Sequence, residues 1–318
     1  MNQKIPERIE TWSHFAIISN PHSGSSRGEE LQTLAEATAL GQGKTLTFIP
    51  LGPDLEHSVR AAQLAGAQVL VAAGGDGTVA TVATLAYRLN MPLGVIASGT
   101  ANLLARDLGL PLQAEAALNL LFRKPRSRMI DLVAIEKRVY LCHISVGTYS
   151  WISCETPAPA KKRFGRLAYV WNALRLLSLK KLWTFHMDID GVAIRRRAST
   201  LMITNTSMMG AGAMRWHQKA AIDDGIVEIC VIRARSLQHY LGLLLSYIRR
   251  SPHPTLQEVV HVQKYATIKA SSPLPVMGDG ERITDGGFRF DVHPRALQVL
   301  VAGDEKTEEG ESSKGLLH

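Results

Sequence analysis

The chain has 318 residues, 46% of them apolar, with 36 basic against 28 acidic side chains and a formal net charge of +8. That length suits two domains, and the composition is that of an ordinary folded protein. Three scattered cysteines, Cys142, Cys154 and Cys230, exclude a disulfide framework or a cysteine metal cluster, and no apolar run approaches the roughly 20 residues of a spanning helix. The first residues, MNQKIPERIETWSH, lack the apolar core of a secretory signal, so a reducing, cytoplasmic setting is expected. The basic excess is compatible with a merely solvated surface, or with nucleic acid, an anionic membrane or a phosphate-rich substrate.

In chain order, short apolar runs alternate with helical patterns as far as about residue 130. Strands are expected at FAIIS (15–19), TLTFI (45–49), VLVAA (69–73) and LGVI (93–96). Helices are expected at 28–40, 54–65, 78–89, 101–109 and 114–122. Continuous apolar strands separated by helices predict a parallel sheet covered on both faces. After Arg128 the texture changes to alternating, β-branched strands at 128–136, 138–147, 185–190, 193–206, 226–234, 259–270, 288–293 and 296–302. Two helices interrupt them, at 164–183 and 237–250. The predicted fold class is thus an α/β N-terminal nucleotide-binding domain with a parallel sheet (1–130), followed by a β-rich, antiparallel sandwich-like domain (131–302). The last strand is a candidate to return to the first domain. The polar tail, 303–318, is expected to be disordered.

The segment GGDGT (74–78) lies where the third strand gives way to a helix. A lone Gly-Gly reads more readily as a plain turn. Here NPHSG (20–24) follows the first strand and SGTANLLARDLG (98–109) follows the fourth. Ligands of open parallel sheets gather at the carboxyl ends of strands, so three such loops predict a phosphate-binding edge built on glycines and a helix N-terminus. GQGKT (41–45) mimics the end of a P-loop, but it precedes a strand instead of following one. In the second half, IDDGIVEI places two adjacent carboxylates in a turn, suited either to solvent or to a hard cation with oxygen ligands. MGDGER (277–282) reads as a hairpin turn or as a loop presenting carboxylates for acid–base work. Residues 161–181 carry seven positives and no acid, flanked by Trp171 and Trp183. That segment suits either an anionic membrane surface or a solvated helix face.

Taken in order from about residue 14 to 302, these segments resemble the bacterial members of the diacylglycerol kinase family of lipid kinases. The carriers are NPHSG, GGDGTV, GVIASGTANLLARDLGLP, IDDGIVEI and MGDGER. Leu103 and Gln218 stand where the family often has Asp and Pro, and FIP (48–50) where it often has Thr. The resemblance implies an active site between the two domains. It implies that Gly74, Gly75, Asp76, Gly77 and Thr78 hold the ATP phosphates, joined by the Asn20, Ser23 and Gly24 loop and by Thr100. Glu281 is implied as the general base, with Asp76 also in the catalytic set. Asp224, with the carbonyls of Ala221 and Ile226, is implied as a Mg²⁺ site. The expected activity is transfer of the γ-phosphate of ATP to the hydroxyl of a diacylglycerol-like lipid, by a peripheral protein that contacts the membrane through 161–183. A homodimer is left open, and no nucleic-acid module is seen. Two alternatives remain: an NAD kinase-like phosphotransferase, which shares GGDGT, and a non-catalytic lipid-binding regulator.

Overall fold

The computed structural model describes residues 11–20, 25–123, 125–155, 181–206, 208–209, 214–215, 221–248 and 253–302. Strands β1 (His14–Ser19), β2 (Thr45–Pro50), β3 (Val69–Gly74) and β4 (Leu93–Ala97) pair in parallel in the order β2-β1-β3-β4. Every residue of β3 and β4 is buried, which is why these runs are apolar without alternation. Helices α1 (Ser25–Leu40) and α5 (Ala114–Phe122) cover one face, through a core of Phe15, Ile17, Leu118 and Phe122. Helices α2 (Leu55–Leu64), α3 (Asp76–Leu89) and α4 (Leu103–Asp107) cover the other, over Val59, Leu70, Val82 and Leu104.

The remaining elements are β5 (Arg126–Ile135), β6 (Arg138–Tyr140), β7 (His143–Gly147), α6 (Thr148–Glu155), β8 (Trp183–Ile189), β9 (Val192–Ala198), β10 (Thr200–Thr204), β11 (Met208–Met209), β12 (Met214–Arg215), β13 (Val227–Ile232), α7 (Leu237–Ile248), β14 (Gln257–Val262), β15 (Tyr265–Ala270), β16 (Pro275–Gly278), β17 (Glu281–Asp285) and β18 (Phe288–Val301). An antiparallel sheet of order β14-β13-β10-β7-β16-β17 packs over β15, β8 and β9. Ile144, Val146, Phe185, Leu201, Ile229 and Phe290 fill the sandwich between them.

Strand β18 joins the two layers. Its first residues pair antiparallel with β15, and Val299 pairs parallel with Leu93 of β4. Along its other edge it pairs with β5, with a register shift between His293 and Leu297. Pro294 sits at that shift, where a missing N–H costs the ladder nothing. The first sheet and half of the sandwich are therefore one ten-stranded sheet.

Several expected strands are corrected. The run 138–147 is two strands, β6 and β7, in different sheets; 193–206 divides into β9 and β10 at Ser199, and 259–270 into β14 and β15. Conversely, 288–293 and 296–302 merge into β18. Helix α6 was not expected in TYSWISCE. It is tied down where Thr148 N donates to Ser199 O (2.8 Å) and Tyr149 N to Thr200 Oγ1 (3.3 Å). The expected helix over 164–183 falls outside the described residues except for its end, where Trp183 opens β8. The tail 303–318 also lies outside them.

Candidate active site

The carboxyl ends of β1, β3 and β4 are neighbours on one sheet edge. Asn20 lies at the first of them; Ser23 and Gly24 lie outside the described residues. Gly75 precedes α3 in extended conformation, with no side chain capping the helix. The first-turn N–H groups of α3 therefore have no intrahelical partner and carry the positive end of the helix dipole. Close approach requires the glycines here. A Cβ on Gly99 would stand 2.6 Å from Gly75 Cα, and one on Gly74 would stand 2.4 Å from Thr78 Oγ1. Thr78 is buried with its hydroxyl against Gly74. Thr100 is exposed on the bend after β4.

Asp76 is held by backbone donors. Its Oδ1 accepts from Leu103 N at 2.7 Å and its Oδ2 from Asn102 N at 3.0 Å. The Asn102 side chain in turn bonds Gly99 N and O, both at 2.9 Å. Hydrogen bonds to a charged acceptor contribute about 1.5–3 kcal/mol each. Both Asp76 oxygens are thus engaged in holding the loop after β4 against the loop after β3.

Glu281 lines a cleft of about 1090 Å³, together with Thr81, Thr84 and Leu85 of α3, the β5–β6 turn and β17. A Cβ on Gly77 would lie 3.7 Å from Glu281 Oε1, so the carboxylate faces the first turn of α3. Its Oε2 is 2.7 Å from Arg138 Nη2. The Arg138 guanidinium lies 5.9 Å from the Tyr140 ring centroid. The ring itself rests on Gly278, where a Cβ would be 2.5 Å from it. The ion pair is 39% and 49% exposed, and pairs this wet contribute about 0–1 kcal/mol. It orients Glu281 yet opens cheaply.

Behind Glu281, Asp279 is buried with a left-handed backbone (φ 45°). Its carboxylate accepts from Leu141 N (2.8 Å), Cys142 N (3.1 Å) and His143 N (3.0 Å), which fixes the β6–β7 corner beneath the β16–β17 turn. Burial raises its pKa, opposed by His143 and by the three N–H donors. Burial lowers that of His143, opposed by Asp279 and Asp76. His143 Nδ1 is buried without a hydrogen-bond partner.

In the Asp-Asp-Gly turn, Asp224 is exposed and its Oδ1 accepts from Ile226 N at 3.0 Å. Asp223 pairs with Arg128 at 2.8 Å. Beneath them Asp131, fully buried, accepts from Gly225 N (2.6 Å) and Arg295 N (2.7 Å). Burial pushes its pKa up, the two N–H donors oppose this, and Asp224 and Asp223 add to it. Among the described residues no group of three His, Cys, Asp or Glu side chains is arranged to hold a metal. A cation here would rest on Asp224 and on the carbonyls of Ala221 and Ile226.

Two family comparisons divide the chain along the same lines. The diacylglycerol kinase catalytic domain matches residues 14–135, and the YegS C-terminal NAD kinase beta sandwich-like domain matches residues 144–301. The chain belongs to the diacylglycerol kinase family. A probable lipid kinase YegS-like protein of Pseudomonas aeruginosa is 31% identical over 261 residues, 79% of this chain and 82% of that one. A diacylglycerol kinase of Staphylococcus saprophyticus is 28% identical over 248 residues, 76% and 79% of the two chains. A crystal structure described as a diacylglycerol kinase from Bacillus anthracis superposes with a TM-score of 0.71 at 17% identity, covering 91% of this chain and 96% of that one, and so shares the fold.

In this diacylglycerol kinase family member, Gly77 of the GGDGT segment lies beside Glu281. Asp224 belongs to a separate turn, at the register shift of β18. Three residues of this architecture carried no motif signal: Arg138, His143 and Asp131. Arg138 stands in a plain strand pattern, and Asp131 in an apolar run, where one buried carboxylate amid hydrophobes was the available clue.

Proposed function

We propose that the protein is a lipid kinase that transfers the γ-phosphate of ATP to a lipid hydroxyl. The observation that carries this reading is Glu281, a half-exposed carboxylate at the mouth of a cleft and beside the uncapped first turn of α3. The first-turn N–H groups of α3, close to Gly75 and Gly99, fit phosphate oxygens. Asp76 keeps the two loops together. Glu281, released from Arg138, takes the proton of the acceptor hydroxyl as its oxygen bonds the γ-phosphorus and the bond to the departing ADP breaks. Arg138, so freed, faces the cleft as a cation. Phosphoryl transfer is mainly positioning and charge neutralisation, and this arrangement supplies both. Mg²⁺ bound with the nucleotide would neutralise phosphate charge. A second, structural Mg²⁺ would rest on exposed Asp224 and on the carbonyls of Ala221 and Ile226. An NAD kinase-like reading is less favoured, because its Asn-acid pair has only Asn205 as counterpart. The Asn205 amide is buried and donates to Asp131 O at 2.8 Å.

The test is Glu281→Gln, assayed with labelled ATP against a panel of lipid alcohols and against NAD. Turnover should fall by about 10²–10⁴-fold, the usual share of a general base, with ATP affinity unchanged. A Gln variant with wild-type turnover would remove Glu281 from the mechanism. Phosphorylation of NAD alone would overturn the lipid reading.

A further inference from the structure

Helix α7 presents apolar side chains to solvent in a line. Leu237, Leu241 and Leu245 recur at every fourth position, hence on one side of the helix, and are 53%, 50% and 51% exposed. The packing contacts lie to either side of this stripe. Tyr240 bonds Ser199, and Gly242 lies against His253 and Leu256. Single exposed leucines are ordinary, but three in register on one helix face are not.

The surroundings of this stripe are cationic. Ser199, which Tyr240 touches, is a corner where several elements meet: its N donates to Ile232 O and its O accepts from Thr148 N. Exposed Arg195 and Arg197 end β9 just before this corner, and exposed Arg235 precedes α7. Lys181 lies over the Trp183 ring, 5.6 Å from its centroid, and Trp183 pairs with Ala198 beside the corner. None of these four cations has an ion pair among the described residues. Glu258, on β14 of the facing sheet, is already held by Arg196 and Arg233. The sequence adds Arg249 and Arg250 after α7, and six further basic residues without an acid over 161–180.

We propose that the outward face of α7, flanked by Lys181, Arg197 and Arg235, docks the protein onto an anionic bilayer. The choice of occupant rests on the lipid kinase reading, since the acceptor then resides in a membrane. Apolar side chains on one helix face with cations around them match the interfacial mode of binding, in which the apolar stripe enters the headgroup boundary and the cations meet anionic lipid.

The experiment is flotation of the full chain with phosphatidylcholine vesicles, with and without phosphatidylglycerol. Two variants accompany it: Leu237→Gln/Leu241→Gln/Leu245→Gln and Arg197→Glu/Arg235→Glu. The wild type should bind the phosphatidylglycerol vesicles and be released by salt, as screening shortens to about 8 Å at physiological ionic strength. Each variant should bind at least about tenfold more weakly while keeping its melting temperature and its turnover on a lipid alcohol dispersed in detergent. Wild-type vesicle binding by the leucine variant overturns the proposal. So does a lowered melting temperature in that variant, which would mean that the chain itself covers the stripe. A dimer that the variant breaks, with vesicle binding intact, assigns the face to a second copy and also overturns it. Vesicle binding is read without turnover, so a wild type that docks but phosphorylates no lipid sinks the kinase reading and leaves the docking face standing.

Discussion

Asp76 and Glu281 are both carboxylates near the first turn of α3, yet they are held in opposite ways. Two backbone N–H groups immobilise Asp76, whereas one half-exposed guanidinium steadies Glu281. Asp76→Asn keeps one acceptor and turns an amide N–H toward a backbone N–H. A loss of about 1–3 kcal/mol is expected from the unsatisfied donor, together with weaker ATP binding. Denaturant titration and nucleotide titration on one preparation would show both; wild-type values in both would mean that the loops hold without this residue. His143 provides a second test. Burial depresses its pKa, so the folded chain binds its proton less readily than the unfolded chain does. Its contribution to stability is complete above about pH 6.5, the unfolded value, and is lost as pH falls through the lower folded value. The melting temperature should drop further between pH 7 and pH 5 in the wild type than in His143→Asn. Parallel curves would show that the imidazole does not titrate on unfolding. The glycine-rich loop at Gly74–Gly77 was legible in the sequence because its spacing is local, whereas Thr100 and Glu281 were singled out only through the family resemblance. His143 and Arg138 were silent, because their roles come from strands that meet only in the folded sheets.

At the scale of elements, β16, β6 and β17 form a relay of packing. Gly278 on β16 leaves room for the Tyr140 ring; Arg138, on the same strand as Tyr140, lies over the ring and reaches Glu281 at the start of β17. In Gly278→Ala the new methyl overlaps the ring, and overpacking of this kind costs about 1–3 kcal/mol. A lower melting temperature is expected, with reduced turnover and unchanged ATP affinity, because the α3 edge is untouched. Thermal melts and steady-state kinetics together test this; unchanged kinetics would uncouple Tyr140 from the catalytic loop. The elements themselves were largely legible. Strands of the parallel layer read directly, since full burial makes them apolar throughout. The corners at Leu141–Cys142, at Ser199 and at Gln263–Lys264 did not, because alternation with period two can continue while a chain passes from one sheet to the other. Pro294 had the reverse effect. It divided in the sequence a strand that a register shift keeps whole.

Across the whole molecule, β5 and β18 make the halves interdependent. From β18 alone, Leu297, Val299 and Val301 enter the core over α3, Leu300 enters the core under α5, and Phe288, Phe290 and Val292 enter the sandwich. Denaturation should therefore follow one cooperative transition, with coincident curves from tryptophan fluorescence and far-UV circular dichroism. Two separated transitions would show that the layers unfold independently. The shared strand also bears on how the chain is made. As the protein leaves the ribosome, β1 to β4 emerge long before residue 288, and β4 then presents an open apolar edge with its final partner still unsynthesised. Until translation nears its end this half-built sheet is a template for wrong strand pairing, so yield in a cell should be sensitive to chaperone supply and to premature stops anywhere before β18.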